Sequence, residues 1–587
     1  MKKIIPISLS ILSLSTSALV EVDVVAEKIS KSKDDVTSSV SYFSESDIQN
    51  SNQMNLPDFL QARAGIQMGS TGGIGQTTST YIRGAKSEYL LVIVDGIEVN
   101  DPSSIGAQFE LQHLDLNSIE SIEILKGPQT VLYGADALSG VINITTKAAN
   151  KSRSSFYGSY GSYNTKKIGG SMSTRKDNLS FHLNASTLQS DSFSSSSVGN
   201  LLEKDSYAQT NVTGKITYHG EKSETTIVVK MINSDAEIDN NNADVRAKDS
   251  STFKQWSNSI AHHYKFSDSL QSSLKISESS TKRVYELYSL EYFGRKQKVT
   301  VDSSYKINNS WKTMLGFDFE RNKVTASGSY NNRHDNERSA FWLNFIKWKN
   351  VFSDQGVRIT SGISEAEKVT TKFGVGYHFP MQITLKANYA TAFKAPTLDE
   401  LYSPFGGNSN LKPTKSESVD VILTKKMGPS SFELTYFNTN YRDQIVYSSK
   451  YENRDRSKSQ GLETSLDYFF AGVFRVDGSY TYLRAIESGS GKYLARRARH
   501  FWNFGLEYLK FENYLFGLRT RYVGKRNETD NYVLKSYILS DFYTQAKINE
   551  TLNLKISINN IFDEKYEQIK NYSTAGRNFL VTGEFSF

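Results

Sequence analysis

The residue types that most often perform covalent chemistry show no catalytic pattern in this chain. It contains no cysteine, which excludes disulfides, thiolate metal sites and a catalytic cysteine. Its 8 histidines form no His-Glu-x-x-His motif and no other clustered ligand spacing, which argues against a zinc enzyme. The glycine-rich stretch 69–75 lacks the Gly-Lys-Ser/Thr sequence of a phosphate-binding loop. A catalytic serine–histidine pair that forms only in the folded protein stays an alternative, but the sequence favours binding or transport over catalysis.

Carboxylates and amides are concentrated in two stretches that could bind a hard cation. The first contains Asp191, Glu203 and Asp205, and the second contains Asp235, Asp239, Asn240, Asn241, Asn242, Asp244 and Asp249. Calcium takes about six to eight oxygen ligands, and it would relieve the repulsion among grouped carboxylates. The two stretches therefore suggest a calcium site, with solvated loop acids as the alternative.

Composition limits the class of protein and its partners. Hydrophobic residues make up 38% of the 587 residues, and no apolar run reaches the roughly 18 residues of a membrane-spanning helix. The net charge of +7 is small for this length, and no basic stripe with interleaved aromatic residues indicates nucleic-acid binding. Abundant Tyr and Phe together with scarce Pro favour a large β-sheet protein.

The N-terminus has the three parts of a secretory signal peptide. Lys2 and Lys3 precede an apolar stretch, residues 4–14, and small residues follow up to Ala18. We expect cleavage after Ala18, so the mature chain begins near Leu19, beyond the inner membrane.

Residues 21–150 have the pattern of a small mixed α/β domain. A short helix is predicted over residues 56–64, because Leu56, Phe59 and Leu60 share one helical face and Pro57 lies near its start. The apolar run 90–94, followed by Asp95-Gly96, predicts a strand and a tight hairpin. A further strand pair is expected on either side of Gly127-Pro128, and residues 141–145 form the last strand.

The pattern changes after Asn150 to repeated strands with alternating apolar and polar residues. Residues 474–482, 514–522 and 552–559 each alternate with a period of two. This uninterrupted β-rich region is too long for one sandwich. Plugged outer-membrane transporters have barrels of about 22 strands, and divided by that count the region gives about 20 residues for each strand together with its connection. The chain ends in Phe587 after Phe579, Val581 and Phe585 at two-residue spacing, which resembles the assembly signal of outer-membrane barrels. We therefore predict a transmembrane β-barrel with an N-terminal α/β domain.

Several motifs resemble those of TonB-dependent outer-membrane receptors. The run from Lys126 to Ile144, with Tyr-Gly-Ala at 133–135, resembles the family's plug signature, and residues 81–84 and 94–96 match the plug upstream. In the barrel, residues 393–398, 410–413 and 559–566 also follow the family pattern. The resemblance covers nearly the whole mature chain. It implies an all-β barrel of 22 antiparallel strands with a plug domain in its lumen.

The first residues after the signal peptide resemble a Ton box, the segment that pairs with the periplasmic coupling protein. Strand addition requires an exposed, β-prone stretch. The proposed Ton box comprises Glu21, Val22, Asp23, Val24, Val25 and Ala26. The resulting domains are a signal peptide (1–18), the Ton box and linker (19–30), the plug (31–150) and the barrel (151–587).

Within the family, the resemblance is greatest to cobalamin (vitamin B12) receptors. It rests on length, on residues 76–84 of the plug, and on residues 494–498 and 574–577 near the C-terminus. The positions that match ligand contacts are Thr77, Ser79, Lys86, Ser104, Ile105 and Arg496, although Thr77, Lys86 and Ser104 differ in chemistry from the residues usual there. The positions near calcium ligands are Asp191, Glu203, Asp205, Asp239 and Asp249, with Glu203 in place of an aspartate.

The resemblance implies energy-coupled import of a scarce ligand, most consistent with cobalamin, across the bacterial outer membrane. The implied partners are the TonB–ExbB–ExbD complex, outer-membrane lipid and a periplasmic binding protein. No nucleic-acid partner or catalytic cofactor is expected, and calcium is implied only as a loop-ordering ion. The alternatives are a ferric siderophore or haem receptor and, from another class, a surface enzyme or adhesin barrel. The absence of histidine between Phe393 and Leu411 weakens the haem alternative.

Overall fold

The computed structural model describes most of the chain from Lys31 to the C-terminus. The described ranges are residues 31–62, 66–149, 152–198, 203–239, 249–287, 289–327, 330–362, 367–529 and 531–587. Within them, no helix has the length and hydropathy needed to cross a membrane. The signal peptide and the proposed Ton box lie outside the described residues.

The N-terminal part of the described chain is a small α/β domain. Its strands are β1 (Ser39–Phe43), β2 (Ile66–Ser70), β3 (Thr78–Ile82), β4 (Leu90–Val94), β5 (Ile97–Glu98), β6 (Ile119–Lys126) and β7 (Gly140–Thr146). Its helices are α1 (Glu45–Asn50), α2 (Leu56–Gln61) and α3 (Thr130–Tyr133), with 3₁₀ turns at Lys33–Asp35, Ser87–Tyr89, Ile105–Ala107, Leu111–His113 and Leu116–Ser118. The sheet order is β1-β6-β7-β4-β5, with β4 and β7 parallel, and β2–β3 form a separate hairpin.

Local signals account for most elements of this domain. Helix α2 is capped by Asn55, whose side chain accepts a hydrogen bond from the Asp58 amide, and Leu56, Phe59 and Leu60 are fully buried as predicted. The hairpin at Asp95-Gly96 is also confirmed. The predicted strand pair around Gly127-Pro128 is wrong, because β6 ends at Lys126 and helix α3 follows. That helix buries Val131 and Leu132 and contacts the surrounding wall.

The rest of the described chain forms a closed barrel of 22 antiparallel strands. They are β8 (Arg153–Gly161), β9 (Thr165–Lys176), β10 (Leu179–Ser190), β11 (Tyr207–His219), β12 (Ser223–Ile238), β13 (Asp249–Lys265), β14 (Leu270–Tyr285), β15 (Leu290–Asn308), β16 (Trp311–Ala326), β17 (Tyr330–Trp348), β18 (Val351–Ser361), β19 (Lys368–Phe379), β20 (Ile383–Lys394), β21 (Thr414–Met427), β22 (Ser430–Tyr447), β23 (Tyr451–Phe470), β24 (Phe474–Glu487), β25 (His500–Phe511), β26 (Tyr514–Val523), β29 (Tyr537–Lys547), β30 (Leu552–Asn559) and β31 (Asn578–Ser586). A two-stranded loop hairpin, β27 (Arg526–Asn527) with β28 (Val533–Leu534), lies outside the barrel sheet, as do helix α4 (Leu398–Tyr402) and a 3₁₀ turn at Pro380–Gln382. The last strand pairs with the first, so the sheet has no free edge.

Alternation of side chains gives the barrel an apolar outside and a polar inside. On β16, Leu315, Phe317 and Phe319 are exposed on the outer face, whereas Asp318 and Glu320 are buried in the lumen. The strand connections at one end of the barrel have two to four residues. The connections at the other end include longer segments, and the longest joins β20 to β21. Short periplasmic turns and longer outer loops are typical of outer-membrane barrels, which assigns the two ends.

The α/β domain lies inside the barrel and is held by buried ion pairs. Arg83 donates to both oxygens of Asp420 at 3.1 Å and to Glu463 at 3.0 Å, with Phe437 beneath its guanidinium. Burial alone would raise the pKa of Asp95, but Lys230, Lys215 and hydrogen bonds from Thr146 outweigh this effect and lower it. The predicted plug in the lumen is therefore confirmed.

Loss of the Arg83 contacts should loosen the plug. In Arg83→Met, Asp420 and Glu463 lose a buried cationic partner, which should cost about 3–5 kcal/mol. Amides of β3 and β6 should therefore exchange hydrogen faster. Arg442→Met is the matched control, because its pair with Glu417 is exposed and should contribute under about 1 kcal/mol. Equal exchange in the two variants would contradict the anchoring role of Arg83.

Candidate functional site

The outer end of the plug is formed by three turns that project toward the long loops. They are residues 71–77 between β2 and β3, the turn at Ser87–Tyr89, and the turn at Ile105–Ala107. The first turn packs closely against the wall: a Cβ on Gly75 would lie 2.4 Å from the Tyr207 ring, and Gly75 has φ +92°. Only glycine allows this backbone conformation and this approach.

Side chains from other segments hold the β2–β3 hairpin by its backbone. The Gly75 amide donates to Gln112 Oε1 at 3.1 Å, the Thr78 amide donates to Glu110 Oε2 at 3.1 Å, and the Ser70 amide donates to Gln568 Oε1 at 2.9 Å. Sequence reasoning did not identify these acceptors, since ordinary polar residues far apart in the chain carry no local motif.

Two titratable groups beneath this turn are buried. Burial raises the pKa of Glu110 to about 7, although the hydrogen bond from Thr78 and the charge of Arg283 oppose it. Burial lowers the pKa of His113 to about 3, so this imidazole is neutral and shares a hydrogen bond with the Tyr207 hydroxyl. The outer turn thus has a rigid support that adds no positive charge.

The predicted contact residues on the plug form two groups. Thr77 is exposed and Ser79 is half-buried on β3. Lys86 pairs with Glu88, and Glu88 lies against the turn that carries Ser104 and Ile105, because it would contact a Cβ on Gly106. Ile105 is 64% exposed, whereas the Ser104 hydroxyl donates within its own turn.

The two predicted contact residues that carry positive charge are both paired within the protein. Lys86 Nζ lies 3.1 Å from Glu88 and donates to the Ile445 carbonyl at 2.7 Å. Arg496 Nε donates to both oxygens of Glu528, at 2.8 and 2.9 Å. Their charges are therefore largely neutralised at the outer surface.

Arg497, beside Arg496, is an additional candidate that sequence reasoning did not select. It lies over the Tyr81 ring at 4.1 Å and donates to the carbonyls of Gly84 and Ala495. It also lines a cavity of about 110 Å³ together with Lys86. This arginine joins the plug surface to the loop between β24 and β25.

Three of the five predicted calcium ligands lie near one another. Asp205 accepts the Ser195 amide at 2.5 Å, and Asp239 accepts the adjacent Ser196 amide at 2.6 Å. Burial raises the pKa of Asp205 to about 6, and the negative charges of Asp239 and Glu203 add to this shift. The structure therefore groups Glu203, Asp205 and Asp239 electrostatically.

The other two predicted ligands have different local partners. Asp191 pairs with Lys204 at 3.4 Å, while Asp249 accepts the amides of Ser250 and Leu287. Within the described ranges, one group of three carboxylates has closely converging oxygens, namely Glu98, Asp136 and Glu320, and Lys296 lies among them. That group is an internal ion-pair network between plug and barrel.

The sequence matches family models for both parts of the chain. Residues 32–141 match the TonB-dependent receptor plug domain, and residues 130–561 match the TonB-dependent receptor-like β-barrel. The chain is also similar to the vitamin B12 transporters BtuB of Vibrio vulnificus and Photobacterium profundum. Each is 24% identical to it, and each alignment covers 96% of this chain and 95% of the relative.

Solved structures show the same fold. A ferric enterobactin receptor (PfeA) variant from Pseudomonas aeruginosa has a TM-score of 0.82 at 16% identity, covering 93% of this chain and 98% of that chain. The siderophore receptor PirA from Acinetobacter baumannii has a TM-score of 0.81 at 16% identity, with the same coverage. With the two family models matching plug and barrel, this chain belongs to the TonB-dependent receptor family and is an outer-membrane transport protein.

Proposed function

We propose that this receptor imports a corrinoid of the cobalamin class. The observation that carries this proposal is the nearly neutral outer surface formed by the predicted contact residues. Thr77, Ser79 and Ser104 offer hydroxyl groups, Ile105 offers apolar area, and both Lys86 and Arg496 are already paired. Such a surface suits a large, amide-rich ligand of low net charge better than a polyanion.

The similarity to vitamin B12 transporters over nearly the full length of both chains supports this ligand class. A ferric siderophore is the second candidate, because receptors for these ligands share the fold. An anionic ferric catecholate would have to compete with Glu88 for Lys86 and with Glu528 for Arg496, at a cost in affinity.

Binding titrations distinguish these ligands. Purified receptor in detergent should bind cyanocobalamin at least about 100-fold more tightly than ferric enterobactin or haemin, a difference of about 2.7 kcal/mol. Thr77→Trp should weaken cyanocobalamin binding by covering the outer surface of the plug. Thr551→Trp is the control, because Thr551 is exposed in a periplasmic turn. Tighter binding of ferric enterobactin would reverse the assignment.

Import requires coupling to an energised inner-membrane complex, and we propose that residues 21–26 provide this connection. Addition of this segment as a strand to TonB of the TonB–ExbB–ExbD complex would transmit force to the plug. The released ligand would then pass to a periplasmic binding protein. The plug has to move during import, because it occupies the lumen. The ion pairs of Arg83 and Asp95 anchor it to the barrel wall.

Proline substitution in the Ton box tests this connection. Val24→Pro removes a backbone donor that strand addition needs, so cyanocobalamin uptake should fall to background while binding at the cell surface persists. Val24→Thr retains the backbone donor and β propensity and should support uptake. Normal uptake by the proline variant would show that coupling uses another segment.

We further propose that calcium orders the outer loops through a site built on Glu203, Asp205 and Asp239. The fit rests on the burial of Asp205, which raises its pKa with a smaller contribution from the charges of Asp239 and Glu203, and on the oxygen-donor chemistry that calcium prefers. Asp205 and Asp239 already position the neighbouring amides of Ser195 and Ser196. A bound cation would therefore stabilise the loop that packs on the plug at Gly72.

Calcium titrations at several pH values test this site. Because the folded pKa of Asp205 is raised, protonation stabilises the loop as pH falls through about 6 without calcium, and calcium affinity should fall over the same range. Asp205→Asn with Asp239→Asn should abolish the calcium-dependent gain in cyanocobalamin affinity. Asp249→Asn is the control, because Asp249 binds the amide of Leu287 instead. Retention of the calcium effect by the double variant would contradict the proposed set.

A further inference from the structure

A chamber of about 190 Å³ lies between the plug and one side of the barrel wall. Helix α2 and the β2–β3 turn border it on the plug side, and strands β25, β26 and β29 to β31 contribute to the wall. Its outer end is covered where residues 191–198 pair with residues 571–573, through Ser573 N to Ser195 O at 2.8 Å and Ser197 N to Asn571 O at 3.0 Å. The predicted contact residues do not line the chamber, although Thr78, between Thr77 and Ser79, does.

Four residues of the chamber wall carry hydrogen-bonding atoms that have no partner among the described residues and that are covered in the present position of the plug. Arg519 is 5% exposed and donates from Nη2 to Asp477, but its Nε and Nη1 have no partner among the described residues. The same is true of the amide oxygens of Asn503 and Asn559 and of Arg521 Nε. Each such group costs about 1–3 kcal/mol if it is left unsatisfied. Their concentration around one cavity points to a ligand that supplies both donors and acceptors.

The charges around the chamber are nearly balanced. Arg519 pairs with Asp477, and Arg521 interacts electrostatically with Asp541 and with Asp58 of helix α2. A free anion would meet the repulsion of these carboxylates, and a cation would meet the arginines. A neutral group with an oxygen acceptor and an N–H donor, such as a primary carboxamide, can bind both kinds of atom at once.

We propose that this chamber is an internal binding site for carboxamide side arms of the ligand during its passage past the plug. This inference rests on the proposed corrinoid substrate, because a corrin ring carries such side arms. The chamber is smaller than the roughly 300–1,000 Å³ of pockets that enclose whole ligands, so it holds only one edge of the molecule. The remainder requires the plug movement that accompanies import.

Matched asparagine variants test the site by comparing uptake with surface binding. Asn503→Leu and Asn559→Leu each remove an unpartnered acceptor from the chamber. Asn388→Leu is the control, because Asn388 on β20 is also buried, has an unpartnered amide oxygen within the described residues, and does not line the chamber. Folding of each variant is checked by resistance of the unheated barrel to SDS.

Both chamber variants should bind cyanocobalamin at the cell surface as the unmodified receptor does, and should import it about tenfold more slowly at saturating ligand. The control should match the unmodified receptor in both measurements. Normal uptake by both chamber variants would overturn the chamber assignment but not the proposed function. The chamber would then be a water-filled gap between plug and wall. An unmodified receptor that neither binds nor imports cyanocobalamin would contradict the proposed function, and this inference with it.

Discussion

The structure depends on the requirement that every backbone hydrogen bond within the lipid be made inside the protein. A closed sheet meets this requirement, and strand β31 pairs with β8 to remove the last free edge. Closure makes each strand two-sided, since successive side chains alternate between lipid and lumen. The low overall hydrophobicity of the chain follows directly, because only one side chain in two contacts lipid.

A barrel of this size encloses a lumen that its own side chains cannot fill, and the plug occupies it. The contact between plug and wall combines apolar packing with buried ion pairs, which Arg83, Asp95 and Glu98 form with partners on the barrel. Buried ion pairs of this kind contribute little net stability relative to apolar packing, but they specify position strongly, because a displaced plug leaves charges unpaired. The ion pairs thereby hold the plug in one orientation.

The outer surface and the chamber differ in how their polar groups are satisfied. At the surface, Lys86 and Arg496 already have carboxylate partners. In the chamber, Arg519 and Asn503 keep unused hydrogen-bonding atoms. The proposed recognition at the surface would therefore need little rearrangement, whereas the proposed internal site requires movement of the plug. The loop held by Asp205 and Asp239 borders both regions, since Ser195 contacts the plug turn and pairs with residue 573.

The sequence by itself determined the architecture and the family, because these depend on local and periodic signals. Alternation along residues 474–482 and 552–559, the capped helix at Leu56 and the plug motif at 126–144 are all visible without tertiary contacts. The sequence does not indicate helix α3 after Gly127-Pro128, since its short apolar run is stabilised by contacts with the barrel wall rather than by its own sequence. Tertiary structure alone decided that Lys86 and Arg496 are neutralised, that Asp249 accepts the amides of Ser250 and Leu287, and that Arg519, Asn503 and Asn559 line one chamber. These properties depend on distances between residues far apart in the chain, and strand register and plug docking set those distances.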